Sequence, residues 1–218
     1  MELFEEKQNK QDYAYQTLKN MIITNELPAE TNLVERQLCE MLGLSRTPVR
    51  AALQELENNN LVKNYPGRGM IVSKIQLEDY IEIFELRKSL DALSLKLFLE
   101  GGHNDIIVLM KHTIADMEAA LNNDDLTAFA KCDMAFHEYY FYNTGNKRLV
   151  KIMSGLSDQI KRMLNIASDN KERCLHAYEL HKNIMDAIEN GNVDDALKAL
   201  NEHLSDSLDY HIKRITKI

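Results

Sequence analysis

The sequence predicts a mainly α-helical protein, with a small N-terminal domain of three helices and a β-hairpin followed by an antiparallel bundle of about six helices. Three observations indicate this class. All three prolines lie before residue 70. From Leu77 onward, apolar residues recur at the three- and four-residue spacing of amphipathic helices. Two short β-prone runs flank the turn PGRG at 66–69, which predicts a hairpin. We expect the domains to cover 1–74 and 75–218.

Composition narrows the class of protein. The 218 residues are 44% hydrophobic, which is enough for a buried core, and no run of about 18 apolar residues predicts a membrane span. The first ten residues, MELFEEKQNK, lack the apolar segment of a signal peptide. The three cysteines are far apart and form no CxxC pair, which argues against a disulfide framework and a cysteine-rich zinc site. We therefore expect a cytoplasmic protein with no membrane partner.

Charge is distributed unevenly along the chain. The formal net charge is −8, but the first 75 residues hold 9 basic and 10 acidic side chains and are nearly balanced. Most of the acidity therefore belongs to the helical bundle. A global positive field for nucleic acid is excluded, so any contact with DNA must come from a local basic cluster.

The first domain has the element order of a winged helix-turn-helix. Apolar periodicity predicts helices over about 10–25, 34–42 and 46–59, and a tight turn separates the second helix from the third. The hairpin follows the third helix. In this motif the third helix enters the DNA major groove through its N-terminal residues.

The third helix begins with the sequence SRTPVR, in which two arginines occupy an unfavourable place. Ser45 is a suitable N-cap, and cations at a helix N-terminus oppose the helix dipole. A solvated helix start is the simplest explanation, but an anionic partner would reverse the electrostatic cost. We therefore predict that Arg46, Thr47 and Arg50 face phosphates and guanine edges of double-stranded DNA. Arg36 on the preceding helix and Arg68 at the tip of the hairpin complete the basic cluster.

The stretch LVERQLCEMLGLSRTPVRAALQELENNNLVKNYPGRGMIV resembles the DNA-binding domain of the GntR family of bacterial repressors, over about residues 10–74. The resemblance implies that Arg36, Arg46 and Arg50 contact DNA. It also implies that a wing glycine, Gly67 or Gly69, permits close approach to the minor groove. Val34 departs from the family pattern, which often has a serine cap here, so we expect a slightly weaker start to the second helix.

The bundle contains polar residues on faces that are otherwise apolar. Helices are predicted over about 78–100, 104–121, 125–142, 146–167, 171–190 and 193–215. Asp133 and His137 lie one turn apart on an inward face, and His181 and His203 lie on the inward faces of two later helices. A single inward histidine is usually a hydrogen-bonded core residue. Three of them with an aspartate need partners, and one divalent metal ion satisfies all four. Three nitrogens and one oxygen favour Zn²⁺, with Ni²⁺, Co²⁺, Mn²⁺ or Fe²⁺ as alternatives.

Arg87 is another polar residue on an apolar face, which it shares with Ile83, Leu90 and Leu97. Three interpretations remain open at this point. The side chain could reach the surface, pair with a nearby carboxylate, or bind a carboxylate ligand with two hydrogen bonds.

Residues 78–213 resemble the FCD ligand-binding domain of the FadR-type branch of the same family, and six helices suggest its shorter, VanR-like form. The family's metal motif matches Asp133, His137, His181 and His203 residue by residue. The resemblance further implies that Arg87 binds a small carboxylate effector and that the helical domain forms a homodimer, which would read a palindromic operator.

We therefore expect a non-enzymatic transcription regulator, a repressor by resemblance, whose operator affinity changes with a small acid bound beside the metal. One alternative is a metal-sensing repressor, in which the ion itself is the signal. A metal-dependent hydrolase or oxygenase is a weaker alternative, because the sequence offers no clear general base beside the ligands and no Glu-x-x-His pairs.

Overall fold

The computed structural model describes residues 2–167 and 170–216, and the chain divides into two compact units between Ile75 and Gln76. The described residues form nine helices and one two-stranded sheet. The predicted fold class is confirmed: a small helix-turn-helix unit with a wing precedes an all-helical unit. None of the helices in the described part of the chain is both long and apolar enough to span a membrane.

The first unit is built on three helices and a hairpin. Its elements are α1 (Glu2–Ile23), α2 (Glu35–Leu42), α3 (Arg46–Asn58), β1 (Val62–Tyr65) and β2 (Gly69–Val72). Leu18 and Ile22 of α1 are buried in one apolar cluster with Val49 and Leu53 of α3, and the two helices contact each other. Gly43 ends α2 in the left-handed conformation (φ +66°), so the chain turns at once into α3.

The wing consists of β1, β2 and the turn between them. The strands are antiparallel, with Val62 paired with Val72 and Tyr65 with Gly69. A third extended segment, which the sequence did not predict, joins the edge: Asn32 bridges to Ile71, and the Leu33 amide donates to the Met70 carbonyl at 2.8 Å. A pairing of so few residues leaves no alternating pattern by which it could be recognised.

Helix α1 is longer than predicted. The expected helix covered about 10–25, whereas α1 runs from Glu2 to Ile23. Residues 2–9 are mostly Glu, Lys, Gln and Leu, which are good helix formers, and no Gly or Pro interrupts them. The helix ends before Asn25, which adopts a positive φ of 63°.

The second unit contains six helices whose bounds agree with the prediction to within one residue at each end. They are α4 (Leu77–Glu100), α5 (Asn104–Asn122), α6 (Leu126–Tyr142), α7 (Lys147–Ala167), α8 (Lys171–Glu189) and α9 (Val193–Thr216). Asn and Asp side chains explain some of the starts. Asp125 accepts a hydrogen bond from the Ala128 amide at 2.8 Å, and Asn170 accepts one from the Arg173 amide at 3.1 Å.

The interior of the second unit is partly polar. Large apolar side chains such as Phe98, Met117 and Phe136 are fully buried. The same interior holds charged and imidazole side chains, because α4, α6, α7, α8 and α9 all turn polar residues inward. These buried residues are Arg87, Asp91, His137, Arg162, His181, His203 and His211.

Candidate nucleic-acid interface and metal centre

The first turns of α3 separate an exposed polar face from a buried apolar face. Arg46, Thr47 and Arg50 are exposed, whereas Val49 and Leu53 are buried against α1. The three polar residues therefore lie at the N-terminal end of the second helix of the helix-turn-helix, as the sequence predicted. They are free to contact a macromolecule without disturbing the core.

Arg50 is held by Glu35, a residue that sequence analysis did not single out. The Arg50 guanidinium donates from Nε and Nη2 to the two carboxylate oxygens of Glu35, both at 2.9 Å. These hydrogen bonds lower the pKa of Glu35 below its usual range. The pair joins α2 to the N-terminal end of α3. Its only sequence signal is an acidic residue in the first turn of α2.

The remaining predicted DNA-binding residues are exposed on α2 and the wing. Arg36 lies on α2, 3.8 Å from Glu40, and Arg68 lies in the hairpin turn. Gly67 and Gly69 have φ angles of +76° and +81°, and a Cβ atom at either would meet no atom within 4 Å. The backbone conformation, and not crowding within the unit, therefore favours glycine at both positions.

The two predicted helix starts lack capping hydrogen bonds. Ser45 occupies the N-cap position of α3 as predicted, yet its side chain makes no capping hydrogen bond. Val34 occupies the N-cap position of α2 and also makes none, in line with the weaker start expected there.

Four polar side chains from three helices converge inside the second unit. Asp133 and His137 come from α6, His181 from α8 and His203 from α9, and one potential ligand atom of each lies within 4.8 Å of all the others. The Nε2 atom of His137 is 3.2 Å from that of His203 and 3.3 Å from that of His181. His181 Nε2 is also 3.3 Å from Asp133 Oδ1.

These separations suit a divalent ion. Zn²⁺–N bonds of about 2.0–2.1 Å at tetrahedral angles separate two ligand nitrogens by about 3.3 Å. Three imidazole nitrogens and one carboxylate oxygen also form a donor set that zinc accepts. The residues present therefore fit the metal that the resemblance implies.

Hydrogen bonding leaves the facing nitrogens of two histidines without protons. His181 Nδ1 is 2.8 Å from the Ala177 carbonyl, which only accepts, so Nδ1 donates and Nε2 carries a lone pair. His137 Nδ1 is 2.6 Å from the Tyr140 hydroxyl, and that hydroxyl is itself hydrogen-bonded to Asp91. Since a carboxylate only accepts, Tyr140 donates to it and accepts from His137. Two lone pairs then face each other, and a cation between them removes the repulsion.

Burial keeps the three imidazoles neutral. Loss of solvent lowers the pKa of His137 and of His203 well below the ordinary value of 6.5 and lowers that of His181 as well. Arg87 adds repulsion of a proton at His137. Neutral imidazoles are the protonation state that binds metal, so the cluster needs no proton release to accept an ion.

Arg87 does not reach the surface. Its side chain is 4% exposed, and Nη2 donates to Asp91 at 3.3 Å. Of the three interpretations left open, pairing with a carboxylate is therefore observed. Its Nε is buried without a hydrogen-bond partner among the described residues, which leaves a donor available to a ligand. Asp91 was missed, although its position four residues after Arg87 on one helix signals the pair.

A cavity of about 60 Å³ adjoins the four-residue cluster. Arg87, Asp133 and His203 contribute to its wall, so the potential metal ligands and the buried arginine border one space. The wall also contains the polar side chains of His137, Arg173, Ser207, Tyr210 and His211. Arg173 also donates to Asp206 and lies over the Tyr210 ring.

Sequence analysis did not identify two of these wall residues. The His211 side chain is 3% exposed and packs against Tyr80 and Phe84. Its burial depends on Tyr80 and Phe84 of α4, which cover that part of α9, and the pattern of a single helix does not reveal its neighbour. Arg173 was missed because its charged position near the start of α8 looks solvent-exposed in sequence.

Comparison with known proteins agrees with both units. The model for "Bacterial regulatory proteins, gntR family" matches residues 10–72, and the FCD domain model matches residues 82–206. The HTH-type transcriptional regulator YdhC of Bacillus subtilis (strain 168) is 24% identical over 204 residues, covering 92% of this chain and 90% of YdhC. The probable D-xylose utilization operon transcriptional repressor of Paenarthrobacter nicotinovorans is 26% identical over 184 residues, covering 84% of this chain and 80% of that repressor.

A solved structure shares the fold. A GntR transcriptional regulator from Rhodococcus sp. RHA1 superposes with a TM-score of 0.82 at 20% identity, covering 94% of this chain and 98% of that one. The relatives are transcriptional regulators, and some are repressors, so this chain is a transcription regulator and not an enzyme. It belongs to the GntR family of bacterial regulatory proteins and carries an FCD domain after its helix-turn-helix unit.

Proposed function

We propose that the protein is a homodimeric repressor whose affinity for a palindromic operator is changed by a small carboxylate bound beside a divalent metal ion. It would act in the cytoplasm, where bacterial operators lie. The observation that carries the proposal is the cluster of three imidazoles and one carboxylate, three members of which, Asp133, His137 and His203, border one cavity together with the buried Arg87.

The DNA contacts are assigned to the exposed face of α3 and to the wing. Arg46 and Arg50 are long enough to donate two hydrogen bonds to a guanine edge, and Thr47 lies between them in sequence. Arg36 and Arg68 supply phosphate contacts. Gly67 and Gly69 let the wing turn follow the DNA backbone closely. A two-fold dimer of such units matches a two-fold operator, since each unit reads one half-site.

The metal ligands are Asp133, His137, His181 and His203, and zinc suits this donor set best. When bound, a divalent ion supplies positive charge and a coordination position for one carboxylate oxygen. The chain's own residues would orient the acid: Arg87 from one wall of the cavity, with Ser207 and Tyr210 offering hydroxyl groups from α9.

Charge indicates how many carboxylates the site accepts. Asp91 and Asp133 contribute two negative charges and Arg87 one positive charge, while the three histidines are neutral. A divalent ion changes the sum from −1 to +1, and a single carboxylate then neutralises it. Arg173 adds no net charge because it is paired with Asp206. A buried site without net charge avoids the cost of an unpaired ion.

The volume of the cavity indicates what size of acid fits inside it. A volume of about 60 Å³ holds on the order of five water-sized groups. Such a space suits a short-chain carboxylate.

Binding of the effector can change the affinity for the operator only if the effector binds two arrangements of the protein with different affinities. Helix α4 carries Arg87 and begins at Leu77, directly after the wing and the short link at 73–76. A shift of α4 on binding the acid would therefore be passed along the chain to the helix-turn-helix unit.

The proposal is tested by titrating candidate short-chain acids into protein purified without a histidine tag, with metal content and operator anisotropy measured together. We expect His181→Ala to lose both the metal and the response to acid. Arg87→Ala should retain the metal and lose the response to acid. The matched control is His112→Ala, which removes an exposed histidine of α5 and should change neither property.

A full response to acid in a metal-free His137→Ala/His181→Ala protein would overturn the mechanism and leave the histidines as core residues. If adding metal alone changes operator affinity and acids do not, the protein is a metal sensor instead.

A further inference from the structure

Two buried residues lie behind His137, on the side away from the other metal ligands. The Tyr140 hydroxyl is 2.6 Å from His137 Nδ1, whereas His137 Nε2 faces His181 and His203. Asp91 is hydrogen-bonded to the same hydroxyl. Asp91 is 1% exposed and Tyr140 is fully buried, so water does not compete for these contacts.

The direction of each hydrogen bond follows from the charge on Asp91. Its carboxylate faces the Arg87 guanidinium at 3.3 Å, and protonating Asp91 would leave that buried cation without a counter-charge. As a carboxylate, Asp91 only accepts, so the Tyr140 hydroxyl donates to it and its oxygen accepts from His137 Nδ1–H. That bond orients the ring and directs the Nε2 lone pair toward the cluster.

We propose that Asp91 and Tyr140 are positioning residues that hold His137 in its metal-binding tautomer and tie helix α4 to the metal centre. The inference rests on the proposed metal site and adds a partner to it, because α4 supplies none of the four ligands. Outer hydrogen bonds of this kind fix the orientation of a ligating histidine and increase its basicity.

The arrangement gives α4 two different links to the ligand site. Arg87 borders the cavity directly, and Asp91, one turn further along the same helix, reaches His137 through Tyr140. Occupation of the metal site therefore restrains the helix that also carries the acid-binding arginine. An acid that draws Arg87 away from Asp91 alters the hydrogen bond between Asp91 and Tyr140. If the acid changes the affinity for metal, the metal changes the affinity for the acid by the same factor.

The first test measures zinc affinity by competition with a chromophoric chelator. Tyr140→Phe removes only the hydroxyl, and we expect the zinc dissociation constant to rise about 10–100-fold. Asp91→Asn should produce a rise in the same range. The matched control is Tyr139→Phe, a hydroxyl deletion at the neighbouring position of α6, which should leave zinc affinity within about two-fold of the wild type.

The second test reports the link to α4 and would not respond to a purely structural role. In the wild type, zinc should slow amide hydrogen exchange in α4 as well as in α6, α8 and α9. In Tyr140→Phe loaded with zinc, the protection of α4 should fall while that of α8 and α9 persists. The Tyr139→Phe control should keep the wild-type pattern.

A measurement on the wild type alone guards against a variant that does not fold. Nitrogen-15 NMR of the zinc-loaded protein should show His137 protonated at Nδ1. A proton on Nε2 would overturn the inference, as would equal zinc affinity in Tyr140→Phe and Tyr139→Phe. A wild type that binds no zinc, and no other divalent ion, would instead overturn the proposed metal site itself.

Discussion

The first unit carries its predicted binding residues on the surface, whereas the second unit encloses them. Arg46 and Arg50 are exposed on α3, and no polar or charged side chain is buried among residues 9–75. In the second unit His181 is fully buried and Arg87 is 4% exposed. Exposed residues can be replaced at little cost to folding, whereas buried polar residues need their partners. Binding and stability should therefore be separable in the first unit and linked in the second.

The largest expected effect concerns DNA binding by the first unit. Replacing both Arg46 and Arg50 with alanine removes the two proposed base contacts, and each such contact is worth about 1–3 kcal/mol. Affinity for an operator selected in vitro from random duplexes should fall by about 2–6 kcal/mol, as measured by fluorescence anisotropy at fixed salt. The free energy of unfolding should change by less than about 0.5 kcal/mol.

Arg148→Ala provides the control for that comparison, because it removes an exposed arginine from the second unit. Its operator affinity should remain close to that of the wild type. Wild-type affinity in the double variant would show that α3 does not read the operator.

The second prediction concerns the stability of the helical unit. Free zinc at about 1,000 times its dissociation constant should stabilise the folded protein by about 4 kcal/mol over protein in EDTA. The stabilisation should appear when chemical denaturation is monitored by hydrogen exchange, and it should appear in the second unit only. His181→Ala should abolish the difference. Equal denaturation curves with zinc and with EDTA would show that metal binding does not stabilise this unit. That result would contradict the difference drawn between the two units.

The third prediction concerns the effect of low pH on stability through His211. Burial, with repulsion from Arg173, Arg87 and Arg214, lowers the pKa of His211 from 6.5 to about 3. Below pH 6.5 the unfolded chain therefore binds a proton at His211 that the folded chain does not bind. The contribution of neutral His211 to the free energy of unfolding is fully present above pH 6.5 and is lost as pH falls toward 3. At about pH 5 this one group lowers the free energy of unfolding by about 2 kcal/mol.

His211→Phe isolates this contribution, because phenylalanine keeps an aromatic ring beside Tyr80 and Phe84 and does not titrate. Both proteins are compared in EDTA by chemical denaturation near pH 7 and near pH 5. The variant should lose about 2 kcal/mol less stability over this range. An identical loss in the two proteins would show that His211 is accessible to protons in the folded state.

The smallest expected effect concerns Glu35, which holds Arg50 on the exposed face of the first unit. Glu35→Gln removes a negative charge near the DNA, so affinity for non-specific duplex should rise slightly. It also loosens Arg50, so the ratio of specific to non-specific affinity should fall by less than about ten-fold. Anisotropy with operator and scrambled duplexes measures both quantities. A ratio that rises would mean that Glu35 restrains Arg50 from reading the operator.

Local patterns predicted most of the secondary structure. Apolar spacing placed the six bundle helices to within one residue, because Gly, Asn and Asp mark each break in that region. Prediction was weaker where the local signal was absent. Helix α1 begins eight residues before the predicted start, because no breaker or cap marks the boundary. The bridge from Asn32 to Ile71 depends on a partner nearly forty residues away.

The four potential metal ligands were predicted for two reasons of different kinds. Their spacing places each on the inward face of its helix, and the family resemblance supplied the pattern that joins them. Their convergence is a property of the fold. Arg87 shows the same division: its inward position is visible in the sequence, whereas its choice among three partners is not.

The sequence by itself determined the fold class, the exposed arginines of α3 and the inward faces that carry Asp133, His137, His181 and His203. Helical periodicity specifies on which face of its own helix each side chain lies. The contrast between apolar and polar faces specifies which face is buried. The tertiary structure alone decided which inward residues meet. Asp91 of α4 reaches His137 through Tyr140, and His211 is covered by Tyr80, because helix packing sets neighbours and rotations that no single helix encodes.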